Sequence, residues 1–414
     1  MKTINPYKIS FLAGLGGLLE FYDFILYMLF SDQIAKEFFG RITNHNIQNI
    51  LVIALFSIAY LIRPIGGIIF GLIGDNRGRK ESFSLTITIM AISIFLMAIL
   101  PNYSQIGIIA PILFIVLRLI QGLAIGGELP SAIVFVYESL EKKGFALGVL
   151  FGMILCGFLL GDIMSIIFRK YFDTYAWRVA FLSGSFIAIL GYFIRKHLQE
   201  TILFIKLEKL DKIKILSSLK MSPLKVIAGI LIIVMASYYG VFLSLFLPKY
   251  LVIHLKYNIL FINKIMFFSI IIGVSFVVIS SWLSDYINIY KMYTFSALLL
   301  ILCSYKIFFY INSQNTLNLT IAICALSIIS AIGTGLFSKI VCDLFPTQIR
   351  LTGFATCYNT SFAIIGGVVP ISTEILIKKF GLIIAPTIIS IIVGIICLIA
   401  IKIVKYQKAT HKND

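Results

Sequence analysis

The stretch "GLIGDNRGRKES", residues 71–82, interrupts two long apolar runs with one aspartate, three cations and glycines at 71, 74 and 78. A turn this tight needs a residue with free backbone angles, and Gly78 supplies one. Asp75 is placed to face the partial positive charge at a helix N-terminus. Arg77, Arg79 and Lys80 are placed to sit among lipid headgroups and to pair with nearby acids. The two cations Arg79 and Lys80 alone would make a plain basic loop. With Gly71, Asp75 and Gly78 they make a latch that forms in one conformation and breaks in the other. What lies on either side decides whether that reading holds.

Apolar residues make up 60% of the 414-residue chain and charged residues 13%, where a soluble domain carries about 25% charged. Mean hydropathy is +1.01. Runs of about 20 apolar residues read as membrane-spanning helices. Twelve such runs are present, near 9–30, 48–73, 82–100, 107–138, 145–168, 178–197, 224–249, 260–283, 291–311, 317–342, 352–377 and 382–404. The first carries Glu20 and Asp23 and lacks a small-residue cleavage site, so it reads as a span and not as a signal peptide. The fold class expected is an all-α integral membrane protein of twelve helices in two six-helix bundles.

Formal net charge is +17. Nucleic acid is excluded as the reason, because the cations are scattered through short loops. Their placement follows the positive-inside rule. With the N-terminus inside, one face collects Arg77, Arg79, Lys80, Lys142 and Lys143. It also collects a central cluster from Arg195 and Lys196 through Lys209 to Lys225, and the tail lysines 402, 405, 408 and 412. Both termini are therefore expected in the cytoplasm. The bias toward Ile, Lys, Asn, Phe and Tyr points to a bacterial source, hence the inner (plasma) membrane.

The six cysteines and four histidines are dispersed, without metal-ligand spacing or a disulfide framework. No G-x-x-x-x-G-K-[ST] loop is present. Neither a metal site, nor a cofactor, nor an enzyme's nucleophile–base constellation is expected. A basic stretch separates the two sets of six runs. The organisation expected is an N-terminal bundle over 1–198, a cytoplasmic linker over 199–223, a C-terminal bundle over 224–405 and a short tail over 406–414. Apolar residues at helical spacing make part of the linker an amphipathic helix or a solvated connector.

If the halves are related, "SSWLSDYINIYKMY" between spans eight and nine echoes the first turn. Asp285 stands where Asp75 does, and Asn288 where Gly78 does, since Asn tolerates the left-handed conformation. Lys291 is the only cation left in this copy, which reads as the weaker latch. Arg350, before span eleven, marks the helix start where Asp75 would dock, and Glu138 ends span four near the first turn.

A charge inside a span costs roughly 2.5–3.5 kcal/mol on insertion scales and is a functional candidate by default. Glu20 and Asp23 lie three apart on one face of span one, where two carboxylates discourage each other's ionisation. That suits a proton carrier. Arg63 precedes a proline in span two. Arg118, Gln121 and Glu128 share span four with Gly122, Gly126 and Gly127, which allow close helix packing. Span five offers glycines 148, 152, 157 and 161, then Asp162. In span eleven Tyr358 and Asn359 are the polar candidates, with Pro370 as an expected kink.

The turn with its Gly71-x-x-x-Asp75-x-x-Gly78-Arg79-Lys80 pattern resembles the signature of the major facilitator superfamily, although that family has a cation where this chain has Asn76. "LLEFYDFILY", "RPIGGIIFGLIGDNRGRK", "RLIQGLAIGGELPSA" and "DLFPTQIRLTGFATCYN" together resemble its metabolite:proton symporter family. The resemblance implies import of a small polar metabolite with protons by alternating access, in a monomer embedded in the lipid bilayer. It points first to a proline/betaine-type carrier. A dicarboxylate or tricarboxylate carrier is the alternative, with Arg63 and Arg118 holding an anion, and an uncoupled facilitator is another. Osmosensory members carry a long C-terminal coiled coil. This chain ends soon after span twelve, so osmotic control of that type is not expected.

Overall fold

A backbone inside a bilayer must satisfy its own hydrogen bonds, and an apolar chain does so most directly as helix. The computed structural model describes residues 6–40, 58–207, 212–220 and 222–410, and among them there is helix and turn but no strand. Residues 48–57 of the expected second span, Lys209 and the tail end 411–414 lie outside the described residues.

The main helices are α1 (Pro6–Leu29), α2 (Ser31–Phe39), α3 (Arg63–Asn76), α4 (Arg79–Ile99), α5 (Ile109–Ser139), α6 (Lys143–Phe172) and α7 (Ala176–Lys196). A short α8 (Lys212–Lys220) lies in the linker. After it come α9 (Pro223–Ile253), α10 (Ile259–Leu283), α11 (Ile289–Ile311), α12 (Thr316–Cys342) and α13 (Arg350–Thr410).

Among the described residues nine stretches are long and apolar enough to cross a membrane, or ten if the bent pair α1–α2 counts as one. Two of the nine are too long for a single crossing. Lys143–Phe193 and Thr347–Gln407 have 51 and 61 residues. As straight helices they would reach about 75 and 90 Å at 1.5 Å per residue, against a core of ~30 Å. Each is broken. Residues 173–175 form a 3-10 turn, and Gly381 leaves helical geometry at φ 85. Split there, and with α1–α2 counted as one, the described residues hold the twelve crossings expected. The second break falls at Gly381, while Pro370 lies inside the helix.

Two compact units result. Unit 1 comprises the chain to Ser139 together with Met153–Ile215; unit 2 comprises Leu140–Gly152 and the chain from Leu216 on. The division cuts α6, whose first turns group with unit 2.

In unit 1, α4 packs on α5 and α7, α3 on α5, and α1 on α5 and α7. Small residues make these approaches possible. A Cβ on Gly126 would collide with the Arg63 carbonyl, and one on Gly66 with the Leu123 carbonyl, so α3 and α5 meet backbone to backbone. α2 turns back by 66° from α1. It is pinned by Glu37, which accepts from Trp177 Nε1 at 2.9 Å and pairs with Arg178 at 2.5 Å.

In unit 2, α9 packs on α12 and α13, α10 on α12, and α11 on α12 and α13. Residues Tyr238–Phe246 of α9 are wound as a π-helix, which nothing in the residue pattern announces. π-turns are wider than α-turns and recur at functional sites. Tyr238 stacks on Phe242 with ring centroids 4.7 Å apart, and Phe242 on Phe246 at 5.3 Å. The Tyr238 hydroxyl meets Ser390 Oγ at 2.6 Å.

Candidate functional site

The charged residues singled out in the spans of unit 1 assemble into separate ion pairs. Glu20 on α1 meets Arg63 at the start of α3, Oε1 to Nη1 at 3.3 Å. The guanidinium lies over the Tyr60 ring at 3.9 Å. Asp23, one turn along α1, receives Arg118 Nη1 at 3.1 Å and Gln121 Nε2 at 2.6 Å on the same oxygen. Arg118 also donates to Gln121 Oε1 and lies over Tyr27 at 4.1 Å. The two carboxylates expected to repel each other are thus each neutralised by their own arginine. Both pairs are nearly closed to solvent, yet each is incomplete. Glu20 Oε2, Asp23 Oδ1, Arg63 Nε and Arg118 Nε are buried and have no hydrogen-bond partner among the described residues.

Glu128 is different. It stands in a two-pronged pair with Arg195, Oε1 to Nη2 at 2.5 Å and Oε2 to Nη1 at 3.0 Å. Thr86 Oγ1 donates to it at 2.5 Å. Arg195 adds a bond to the Phe83 carbonyl at 2.6 Å and lies over that ring at 3.5 Å. Both side chains are 0% exposed. Arg195, counted in the sequence among the cytoplasmic loop cations, is therefore a core residue. It ends α7, and its side chain reaches back between helices instead of out to water. Gly16 leaves the space, since a Cβ there would strike both Arg195 Nη2 and Glu128 Oε1.

The turn at 71–82 has the geometry its glycine demanded. Gly78 sits at φ 140, where a side chain is strained and where a Cβ would meet the Glu200 carboxylate. Gly71 lies buried inside α3. Arg79 is fully buried and binds Asp75 Oδ1 and the Gly74 carbonyl, each at 2.6 Å, and Glu138 through Nε at 3.1 Å and Nη2 at 3.3 Å. Arg77 pairs with Glu81 in the open at 3.2 Å.

Two participants went unread in the sequence. Thr201 Oγ1 donates to Glu138 Oε2 at 3.1 Å, and Glu200 accepts from the Lys80 backbone N–H at 3.1 Å. Both lie in the segment after α7, and a Glu-Thr pair opening a linker is a signal only once the linker is known to fold back.

In unit 2, Asp285 accepts from the backbone N–H groups of Gly144 and Phe145, at the start of α6, at 2.9 and 3.0 Å. Lys339 Nζ binds the same carboxylate at 2.8 Å. This copy is a formed anion-at-helix-start contact, not a degenerate one. Its cation comes from α12 and not from Lys291. Asn288 is not left-handed: at φ −59 it caps α11, accepting from the N–H groups of Tyr290 and Lys291. Arg350 Nε donates to the carbonyls of Cys342 and Phe345 at 3.1 and 3.3 Å, closing the end of α12. Tyr358 is buried in an aromatic row with Phe354 and Phe362, at centroid distances of 6.2 and 4.5 Å. Asn359 Nδ2 donates to the Ala355 carbonyl at 2.9 Å. Asp162, half-buried on α6, is brought to none of these groups.

Residues 13–370 match the family described as Major Facilitator Superfamily. The chain is 31% identical over 415 residues to the proline/betaine transporter of Escherichia coli (strain K12), covering 94% of this chain and 81% of that one. A solved structure of the proton:xylose symporter XylE matches with a TM-score of 0.75 at 15% identity, covering 96% of this chain and 94% of that one. The human organic anion transporter TETRAN matches at 0.72 and 14%, covering 97% and 100%. At those identities the structural likeness speaks to the fold alone.

Proposed function

This chain belongs to the Major Facilitator Superfamily, and from that premise we propose that it is a proton-coupled symporter importing a small zwitterion of the proline or glycine betaine kind. Membership makes it a multi-pass membrane transporter and not an enzyme. The finer statement rests on charge balance. Arg63 and Arg118 are each matched by one carboxylate, so the pairs hold no surplus cation for a dicarboxylate. They do leave two buried acceptor oxygens and two buried guanidinium N–H groups open. A zwitterion brings one carboxylate for an N–H group and one cation for an oxygen, and so leaves the local charge unchanged on binding. An uncompensated buried charge costs several kcal/mol, about 3–5 where one partner of a pair is removed. The E. coli relative's name supports the same class.

Glu20 and Asp23 are the carboxylates proposed to exchange protons as substrate enters and leaves. The turn at 71–82 is proposed to latch the cytoplasmic side during alternating access, with both termini on that side of a bacterial plasma membrane. The test is uptake into proteoliposomes under an imposed inward proton gradient, with labelled proline, glycine betaine and α-ketoglutarate side by side. Accumulation of proline or betaine above equilibrium is expected. Accumulation of α-ketoglutarate alone refutes the zwitterion, and mere equilibration refutes coupling. Glu20→Gln or Asp23→Asn should abolish uphill uptake while substrate exchange persists.

A further inference from the structure

A groove of about 610 Å³ runs along unit 1 between the ends of α4 and α7, beside the turn at 71–82 and apart from the Glu20, Asp23 and Glu128 pairs. It is lined by Arg77, Lys80, Glu81, Ser84, Leu85, Thr88, Tyr192, Lys196 and Glu200. We propose that it binds the headgroup of an anionic phospholipid carrying a single phosphodiester.

The donors are in surplus. Glu81 is engaged by Arg77, and Glu200 spends its two oxygens on the backbone N–H groups of Lys80 and Thr201. Lys80 Nζ is held at 2.9 Å by a neutral group, the Lys196 carbonyl. The Lys196 ammonium and the Tyr192 hydroxyl have no hydrogen-bond or ion-pair partner among the described residues. Ser84 Oγ is buried without one. Two ammonium groups against one capped carboxylate leave one net positive charge, which is the complement of one phosphodiester. Arginine and lysine hydrogen bonds to phosphate oxygens are charge-assisted and correspondingly strong.

The groove's position selects a lipid over a soluble phosphate. It lies at the terminal turns of two membrane helices, Arg79 opening α4 and Lys196 closing α7, where headgroups meet water. From its mouth an exposed apolar strip runs toward the membrane interior along both helices: Leu85 and Ile92 on α4, Ile189 and Phe193 on α7. An acyl chain has a path there that a free anion does not need. Basic pockets between membrane helices take acidic headgroups by the same physics.

The test is native mass spectrometry of the full chain in detergent, offered equal amounts of dioleoyl phosphatidylglycerol and dioleoyl phosphatidylcholine. The wild type should retain the glycerol lipid at least fivefold more. Lys196→Glu should abolish the preference. Thr88→Trp, which fills the groove without changing charge, should abolish it too, and it keeps the test alive if the charge reversal fails to fold. Equal retention of the two lipids by the wild type, or an unchanged preference in Thr88→Trp, overturns the site. Displacement of the lipid by millimolar inorganic phosphate overturns its assignment to a lipid.

Discussion

The two units carry the same kind of fold and opposite interiors. Every charged side chain that is buried among the described residues lies in unit 1, from Glu20 through Arg195. Unit 2 builds its polar interior from hydroxyls and one amide instead. Tyr238 meets Ser390, Ser237 meets Ser361 at 3.2 Å, and Tyr293 donates to the Ile232 carbonyl at 2.5 Å. Charge needs a partner at each site and is costly when that partner is lost; a hydroxyl has a local carbonyl as a fallback. Unit 1 is therefore the half to which the proton exchange and substrate binding proposed above are assigned. Unit 2, with its π-wound stretch of α9, is the half that can repack cheaply.

The sharpest way to break this contrast is at Glu128. Glu128→Gln leaves Arg195 buried without its counter-charge, and a loss of about 3–5 kcal/mol is expected. Thermal unfolding in detergent should show it as the largest drop of any single change here. Replacing Glu128 and Arg195 together by methionine should recover most of the loss. If both versions melt with the wild type, the interior of unit 1 does not depend on charge. Next in size is Gly78→Leu, which puts a side chain at φ 140 against Glu200. Transport should fall at least tenfold, and normal uptake would mean the turn is built otherwise.

Asp75→Asn and Asp285→Asn test the two turns against each other. Each removes a formal charge but keeps the shape, so slower turnover with nearly unchanged substrate affinity is expected for both. A defect confined to Asp75→Asn would restore the ranking read from the residues alone. The smallest effect belongs to Tyr238→Phe. It deletes a single neutral hydrogen bond, worth about 0.5–1.5 kcal/mol, and should shift the melting point slightly while uptake continues.

Much of the architecture was legible because apolar run length and glycine placement are local signals. The turn at 71–82 could be read from Gly78 and Asp75, and the charged members of span one from their cost in a membrane. What could not be read depends on distant partners. Nothing near Arg195 says that its guanidinium reaches back to Glu128, 67 positions earlier. Asp285 looked poorly equipped because its neighbours in sequence are; its donors come from Gly144, Phe145 and Lys339. The π-winding of Tyr238–Phe246 has no residue pattern of its own to announce it.

Gly16 carries a consequence for how this chain can change over generations. It has no side chain to bond with, yet any side chain there would displace both halves of the Arg195–Glu128 pair. Mutations in this region therefore have an order. A lineage that first shrinks the pair to smaller neutral residues opens Gly16 to substitution. One that substitutes Gly16 first meets a steric and an electrostatic barrier in the same step.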